Sequence, residues 1–167
     1  MKQPDLIIVG NPNVGKSVLF NKLTGSYATV SNYPGTTVEL TKGIGRFNSH
    51  RFEVADTPGA YSLLPITEEE RVTRAVLLEE KPKIILHVID AKNLERMLCL
   101  TLQLIEAALP TILVLNMLDE LENIGKRINI ERLESTLHIP VVGVVATTGK
   151  GIDVLKDRIV GYAEKNG

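Results

Sequence analysis

The sequence predicts an α/β domain built on a doubly wound, mostly parallel sheet of six strands, with one antiparallel strand at an edge and helices on both faces. Three observations predict it. A G-x-x-x-x-G-K-[ST] loop, Gly10-Asn11-Pro12-Asn13-Val14-Gly15-Lys16-Ser17, lies between a β-branched apolar run and a helix-like run. Continuous apolar runs, rather than alternating ones, recur along the chain, as in a sheet covered on both sides. Segments with apolar residues at helical spacing separate those runs, which is the alternation of a parallel sheet with crossover helices.

The elements follow in chain order. Leu6–Val9 reads as the first buried strand, and a helix runs to about Leu23. Gly25–Thr36 lacks periodicity and is rich in Ser, Thr, Asn, Pro and Gly, so it reads as a long loop. The runs 37–47 and 50–56 resemble a hairpin and supply the antiparallel strand. Thr57–Ile66 is a second irregular loop, and long loops in a compact domain are usually functional. Thr67-Glu68-Glu69-Glu70 fits a capping box, so a helix starts there and reaches about Glu80. Its acidic start reads as a capped, solvated turn. Lys83–Ile89, Thr111–Leu115 and Pro140–Val145 are the remaining strands. Asn93 and Asn129 stand as N-caps. Leu94, Leu98, Thr101 and Ile105 mark one helix face, Ile130, Leu133 and Leu137 another, and Ile152, Leu155, Ile159 and Tyr162 a third. Cys99 and His87 read as core residues, while His50 and His138 mark a turn and a helix end.

Composition narrows the class. At 167 residues the chain has the length of one domain, and residues 1–167 are read as such. The hydrophobic share of 44% supports a sizeable core, and a net charge of −1 offers no bulk attraction to nucleic acid or anionic lipid. A single cysteine rules out an internal disulfide and fits a reducing compartment. No apolar run is long enough to span a bilayer, and Met1-Lys2-Gln3-Pro4-Asp5 does not resemble a signal peptide. No Cys/His spacing suggests zinc or an iron site.

Four motifs carry chemistry. In the first, backbone N–H groups at a helix N-terminus converge on a phosphate, Lys16 reaches the β- and γ-phosphates, and the Ser17 hydroxyl can ligate Mg²⁺. Asp56-Thr57-Pro58-Gly59 fits D-x-x-G at the end of the third strand. There Asp56 can hold Mg²⁺ through its water shell and the Gly59 N–H can bond a γ-phosphate oxygen. Asn116-Met117-Leu118-Asp119 fits N-x-x-D. The Asp119 carboxylate can accept two hydrogen bonds from guanine, a pair that adenine lacks, while Asn116 braces the loop. Met117 replaces a lysine whose stem usually covers the base. Val145-Ala146-Thr147-Thr148-Gly149-Lys150-Gly151 resembles S-A-x-x-G-x-G with Val145 in place of Ser, and the Ala146 N–H is expected to meet the guanine O6.

In this order at strand ends, the motifs resemble a translation-factor-type small GTPase with a Ras-like P-loop fold. Such a fold closes a threonine of the first loop over Mg²⁺ and the γ-phosphate. Thr36 and Thr37 compete within Tyr33-Pro34-Gly35-Thr36-Thr37-Val38-Glu39, and Thr37 is favoured. Gly35, Thr36 and Val18 complete the expected nucleotide shell, together with Gly10 to Ser17, Thr147 and Thr148.

The resemblance narrows further within the TrmE-Era-EngA-YihA-Septin-like class. Leu19-Phe20-Asn21, Leu23-Thr24-Gly25, Asn32–Glu39, Pro58-Gly59-Ala60-Tyr61-Ser62-Leu63 and above all Asp90-Ala91-Lys92-Asn93-Leu94-Glu95-Arg96 through Leu104 are similar to the N-terminal domain of the bacterial ferrous iron transporter family FeoB. Tyr33 stands where that family often has Trp, and Thr57 where it often has Leu. The resemblance implies a GTP- and GDP-binding switch that hydrolyses GTP slowly with Mg²⁺ and regulates or drives ferrous iron uptake. It also implies helical regulatory and transmembrane domains downstream, so the chain reads as an isolated nucleotide domain. The place implied is the cytoplasmic face of the bacterial inner membrane, with the domain itself soluble. A homo-oligomer is compatible with it, and no nucleic-acid partner is expected.

The usual catalytic groups are missing. Ala60 stands where many GTPases place a water-orienting Gln, and Gly25–Thr37 contains no Arg or Lys. In the resembled family an Asn at the position of Asn13 ligates K⁺, which would take the place of an arginine finger. The expected catalytic set is therefore Lys16, Thr37, Gly59 and Asn13. The alternatives are a ribosome-assembly, RNA-associated GTPase and a nucleotide-binding module without turnover.

Overall fold

In the computed structural model, which describes residues 3–25 and 27–166, the chain forms one seven-stranded sheet with helices on both sides. Met1, Lys2, Ser26 and Gly167 lie outside the described residues, so the expected leader-free start and part of the Gly25–Thr36 loop fall beyond them. The strands are β1 (Leu6–Val9), β2 (Ala28–Asn32), β3 (Glu39–Phe47), β4 (His50–Asp56), β5 (Ile84–Asp90), β6 (Thr111–Asn116) and β7 (Val141–Gly143). Their order across the sheet is β2-β3-β4-β1-β5-β6-β7. β4, β1, β5, β6 and β7 pair in parallel, and β3 is antiparallel to both its neighbours.

Seven strands replace the six expected, and the antiparallel strand is not the edge. β2 covers it, pairing Ala28↔Gly43 through Asn32↔Glu39. Four of its five residues are exposed and the fifth is half-buried, so no apolar period marks it. Backbone pairing alone recruits it, and a strand without a buried face leaves no hydrophobic signature.

The helices are α1 (Lys16–Thr24), α2 (Glu68–Glu79), α3 (Leu94–Glu106), α4 (Leu118–Asn123), α5 (Ile130–Leu137) and α6 (Ile152–Asn166). Alternate residues of β1 serve opposite faces. Leu6 and Ile8 join a core with Leu19, Phe20, Leu155 and Ile159, while Ile7 and Val9 join one with Val72, Val76, Leu77, Leu100 and Leu104. This period-2 division lets one short strand anchor helices on both sides.

The capping box at Thr67 forms as expected: its hydroxyl accepts from the Glu70 N–H, and Glu70 reaches back to the Thr67 N–H. Asn129 caps α5 by accepting from the Arg132 N–H at 2.9 Å. Asn93 does not cap α3. Asp90 at the end of β5 accepts from the Lys92 N–H at 2.9 Å and from Asn93 Nδ2 at 2.9 Å, so the entry is turned by the aspartate through a single 3-10 turn, Ala91–Asn93. The buried face of α3 is Met97, Leu100, Thr101 and Leu104, one step round from the stripe expected. That rotation leaves Cys99 exposed instead of in the core.

His87 on β5 is fully buried, as expected of a core residue, but it is only half satisfied. Nδ1 lies 2.9 Å from Thr101 Oγ1, and Nε2 has no partner. Burial, with a smaller contribution from the Lys16 charge, pushes its pKa down to about 3. The folded chain therefore keeps His87 neutral at pH values where the unfolded chain, with an ordinary value near 6.5, protonates it. This contribution to stability is complete above about pH 6.5 and is lost progressively as the pH falls toward about 3. Urea denaturation across that window should show the decline, and His87→Met should flatten it.

Candidate functional site

The phosphate loop joins the carboxyl end of β1 to α1. Gly15, at the N-cap of α1, has φ +90°, a left-handed conformation that favours glycine, and a Cβ there would lie 2.3 Å from Asn116 Nδ2. The first turn of α1 holds no acidic residue and its cap position makes no side-chain hydrogen bond, so its N–H groups and its dipole are free for an anion. Lys16 is buried, and its Nζ donates to the Asn11 carbonyl at 3.1 Å. Burial holds its pKa below the ordinary lysine value, while Asp56 pulls the other way.

Ser17 Oγ donates to Asp56 Oδ2 at 2.9 Å, joining the first two motifs across 39 residues. The other oxygen, Asp56 Oδ1, is buried and has no partner among the described residues. Burial raises the Asp56 pKa, against the Ser17 hydrogen bond and the Lys16 charge. A half-buried carboxylate with one orphaned oxygen beside a hydroxyl is a hard oxygen donor set that fits Mg²⁺.

In the first loop Thr36 is committed to the backbone. Its hydroxyl donates to the Tyr33 carbonyl at 2.9 Å and accepts from the Val38 N–H at 3.1 Å. Thr37 is exposed, and its hydroxyl makes no hydrogen bond among the described residues. Of the two competing threonines, Thr37 is the one free to serve an ion. Asn13 is likewise exposed, at φ +63°, with no side-chain hydrogen bond among the described residues.

The D-x-x-G segment is packed onto the phosphate loop. Thr57 Oγ1 donates to the Ile8 carbonyl at 2.9 Å, and the Ala60 N–H to the Gly10 carbonyl at 3.0 Å. A Cβ on Gly59 would lie 2.6 Å from the Pro12 ring, so only glycine permits this approach. Ala60 is 2% exposed. The slot for a water-orienting Gln is thus buried against the loop.

Glu70 corrects the expectation of a solvated acidic turn, because it is buried. Its carboxylate accepts from the N–H groups of Tyr61 (3.3 Å), Ile66 (2.9 Å) and Thr67 (3.3 Å). The Ile66 N–H foremost, with those of Tyr61 and Thr67, holds its pKa below the usual carboxylate range against the opposing effect of burial. Gln103 on α3 accepts from the Leu63 N–H at 2.7 Å. With Thr73 Oγ1 of α2 donating to the Pro58 carbonyl at 3.1 Å, three side chains from the flanking helices hold the loop 57–67. The capping box was the only signal in the sequence for Glu70, and Gln103 had none.

On the base side, Asn116 is buried and spends both ends of its amide. Nδ2 donates to the Val14 carbonyl at 2.9 Å, and Oδ1 accepts from the Ala146 N–H at 3.0 Å. The Ala146 N–H, expected to meet a guanine O6, here donates to Asn116, and the Thr147 N–H is the next on the loop. Thr148 Oγ1 donates to the Val145 carbonyl at 3.2 Å, closing the turn. Met117 stands at φ +62° with its Cε methyl toward Gly15, where it can cover a base, and Asp119 follows it exposed on the first turn of α4.

The family profile described as "Ferrous iron transport protein B" matches residues 5–159. The Fe(2+) transporter FeoB of Escherichia coli is 42% identical over 166 residues, which cover 97% of this chain and 22% of that protein. The Fe(2+) transport protein A/Fe(2+) transporter FeoB fusion protein of Porphyromonas gingivalis is 43% identical over 158 residues, covering 94% of this chain and 19% of that protein. The chain thus spans about one fifth of these relatives. Among solved structures, the cytosolic domain of the T. maritima FeoB iron transporter in a GDP form matches with TM-score 0.93 and 38% identity over 96% of this chain and 63% of that one. The FeoB G-domain from Methanococcus jannaschii matches with TM-score 0.85 and 36% identity over 98% and 99%.

Glu70→Gln should loosen the loop, because a neutral amide accepts more weakly than a carboxylate. Hydrogen exchange at Tyr61, Ile66 and Thr67 should accelerate together, with the α3 core unchanged. Since the folded-state pKa is depressed, the native clamp should persist down to the usual glutamate range and give way only as the pH falls through its lowered value.

Proposed function

Because this chain belongs to the FeoB family of ferrous iron transport proteins and is its P-loop GTPase domain, we propose that it binds GTP and GDP with Mg²⁺, hydrolyses GTP slowly, and so regulates or drives ferrous iron uptake. The observation that carries the reading is the meeting of Lys16, Ser17 and Asp56, with one buried carboxylate oxygen left without a partner. Relatives named as Fe(2+) transporters, about five times longer than this chain, support a transport role exerted through domains beyond it, at the cytoplasmic face of the bacterial inner membrane. No helix of the described residues is long and apolar enough to cross a membrane. The RNA-associated alternative is not favoured, since the family is that of the transporters.

Hydrolysis forms a bond from water oxygen to the γ-phosphorus and breaks the bond to the β–γ bridging oxygen, leaving GDP and phosphate. The chain's part is to hold charge and geometry. Lys16 leaves the Asn11 carbonyl for the β- and γ-phosphates. The Gly59 N–H bonds a γ-oxygen, and Thr37 folds over the same group. Ser17, Asp56 and Thr37 are the residues to hold Mg²⁺, which when bound neutralises phosphate charge. Asp119 reads guanine, Met117 covers it, and Thr147 offers an N–H to its O6. With Ala60 buried and no arginine in the first loop, turnover falls well below the roughly 10 per second typical of enzymes.

Asn13 supplies a side-chain oxygen beside the phosphates, and we assign it to K⁺. Its exposure and lack of a side-chain partner among the described residues support this assignment.

Lys16→Ala should weaken GTP binding by roughly 10- to 100-fold, the scale of a lost charge-assisted hydrogen bond. Asp119→Asn should erode the preference for GTP over ATP, read by competition against a fluorescent guanine nucleotide. Retained affinity in the first variant or retained preference in the second overturns the nucleotide reading. GTP turnover should be faster in KCl than in NaCl for the wild-type chain and equal in the two salts for Asn13→Ala; equal wild-type rates remove K⁺ from the site.

A further inference from the structure

The first turn of α3 faces the phosphate loop across a cavity of about 420 Å³ lined by Asn11, Pro12, Tyr61, Arg96 and Met97. One wall is the phosphate loop, another is the start of the segment after Gly59, and the third carries a cation that the scheme above leaves unused. Asn11 is only 8% exposed, and its Oδ1 is buried with no partner among the described residues. Its main-chain carbonyl is meanwhile taken by Lys16 Nζ. Arg96 is exposed and held by one long hydrogen bond from Nη2 to Asn93 Oδ1 at 3.4 Å. A residue whose buried acceptor has no donor among the described residues and a five-donor guanidinium held by one long bond therefore line the same space.

We propose that Arg96 is a positioning residue of the triphosphate site, whose guanidinium turns from Asn93 into this cavity and donates to Asn11 Oδ1 when Lys16 leaves the Asn11 carbonyl for the phosphates. Nucleotide binding removes the one side-chain donor that Asn11 has, in a loop whose N–H directions decide how phosphate is held. A donor from α3 to Oδ1 then braces the same residue through its side chain, a different atom from the carbonyl that Lys16 leaves. The bound polyphosphate draws the guanidinium in the same direction, and the apolar surfaces of Pro12 and Met97 suit its flat faces. Arg96 is thereby a cation that the first loop lacks, supplied from α3 and acting on the loop rather than on the phosphate.

The inference rests on the nucleotide-binding reading and is tested apart from it. GTP affinity, KM and kcat are measured on the whole chain for wild type, Arg96→Ala, Arg96→Gln, Asn11→Ala and the double variant Arg96→Ala/Asn11→Ala. Arg96→Ala should weaken GTP binding and raise KM roughly tenfold, within the range of coupled contacts, with a smaller change in kcat. Arg96→Gln, which keeps a donor without the charge, should recover part of the loss. In the Asn11→Ala background Arg96→Ala should add nothing. Unchanged affinity in Arg96→Ala overturns the proposal, and so does a full additional loss in the double variant. A lowered melting temperature of nucleotide-free Arg96→Ala also overturns it, by showing a role in folding instead. If the wild-type chain itself bound no GTP, the nucleotide reading would fail, not the role of Arg96 alone.

Discussion

The amide of Asn116 holds the site together. One buried side chain at the end of β6 donates to the carbonyl of Val14 in the phosphate loop and accepts from the N–H of Ala146 in the last loop. Three segments, separated in sequence by 102 and 30 residues, are thereby tied together, and the glycine loop before α1 is joined to the two loops after β6 and β7. Each bond is buried, where a lost partner leaves an uncompensated polar group and costs about 1–3 kcal/mol. Gly15 has no side chain for the same reason, since the Asn116 amide occupies the space a Cβ would need.

A second set of tethers governs the loop after Asp56. Glu70 collects three N–H groups from it, and Gln103 collects a fourth. Ala60 is meanwhile pinned to the Gly10 carbonyl. A segment held by a few identifiable bonds at its ends can exchange them for bonds to a γ-phosphate, which is the physical requirement of a two-state switch. The same packing explains why slow chemistry is expected. The position that could carry a catalytic amide is buried against the phosphate loop, and compensation must come from groups outside the usual loops. Asn13, within the phosphate loop itself, and Arg96, across a cavity from it, are the candidates proposed for that part.

How much was legible in the sequence differs between the sheet and the loops. Strands with two buried faces, such as β1, β5 and β6, announce themselves as continuous apolar runs. β2 did not, because its residues bury almost nothing and only the Glu39–Gly43 backbone recruits it. The α3 stripe was read one step out of phase, since Leu94, Leu98 and Ile105 are apolar and yet only partly buried, so hydrophobicity alone did not distinguish the face. Cys99 was misplaced by that same shift. Glu70 was visible as a cap but not as a clamp, because the amides it serves come from a loop without periodicity.

Motif order and spacing by themselves determined the α/β class and the glycine loop between β1 and α1, and put forward Ser17, Asp56 and Asp119 as candidates, of which the first two meet in the structure. These depend on short local patterns at strand ends, where residue type and backbone direction are coupled. Tertiary structure alone decided which threonine is free, which N–H groups are already spoken for, that Ala60 is buried and that Arg96 and Asn11 share a cavity. Those properties are pairings between distant segments, and a linear pattern does not encode which hydrogen-bonding group reaches which partner first.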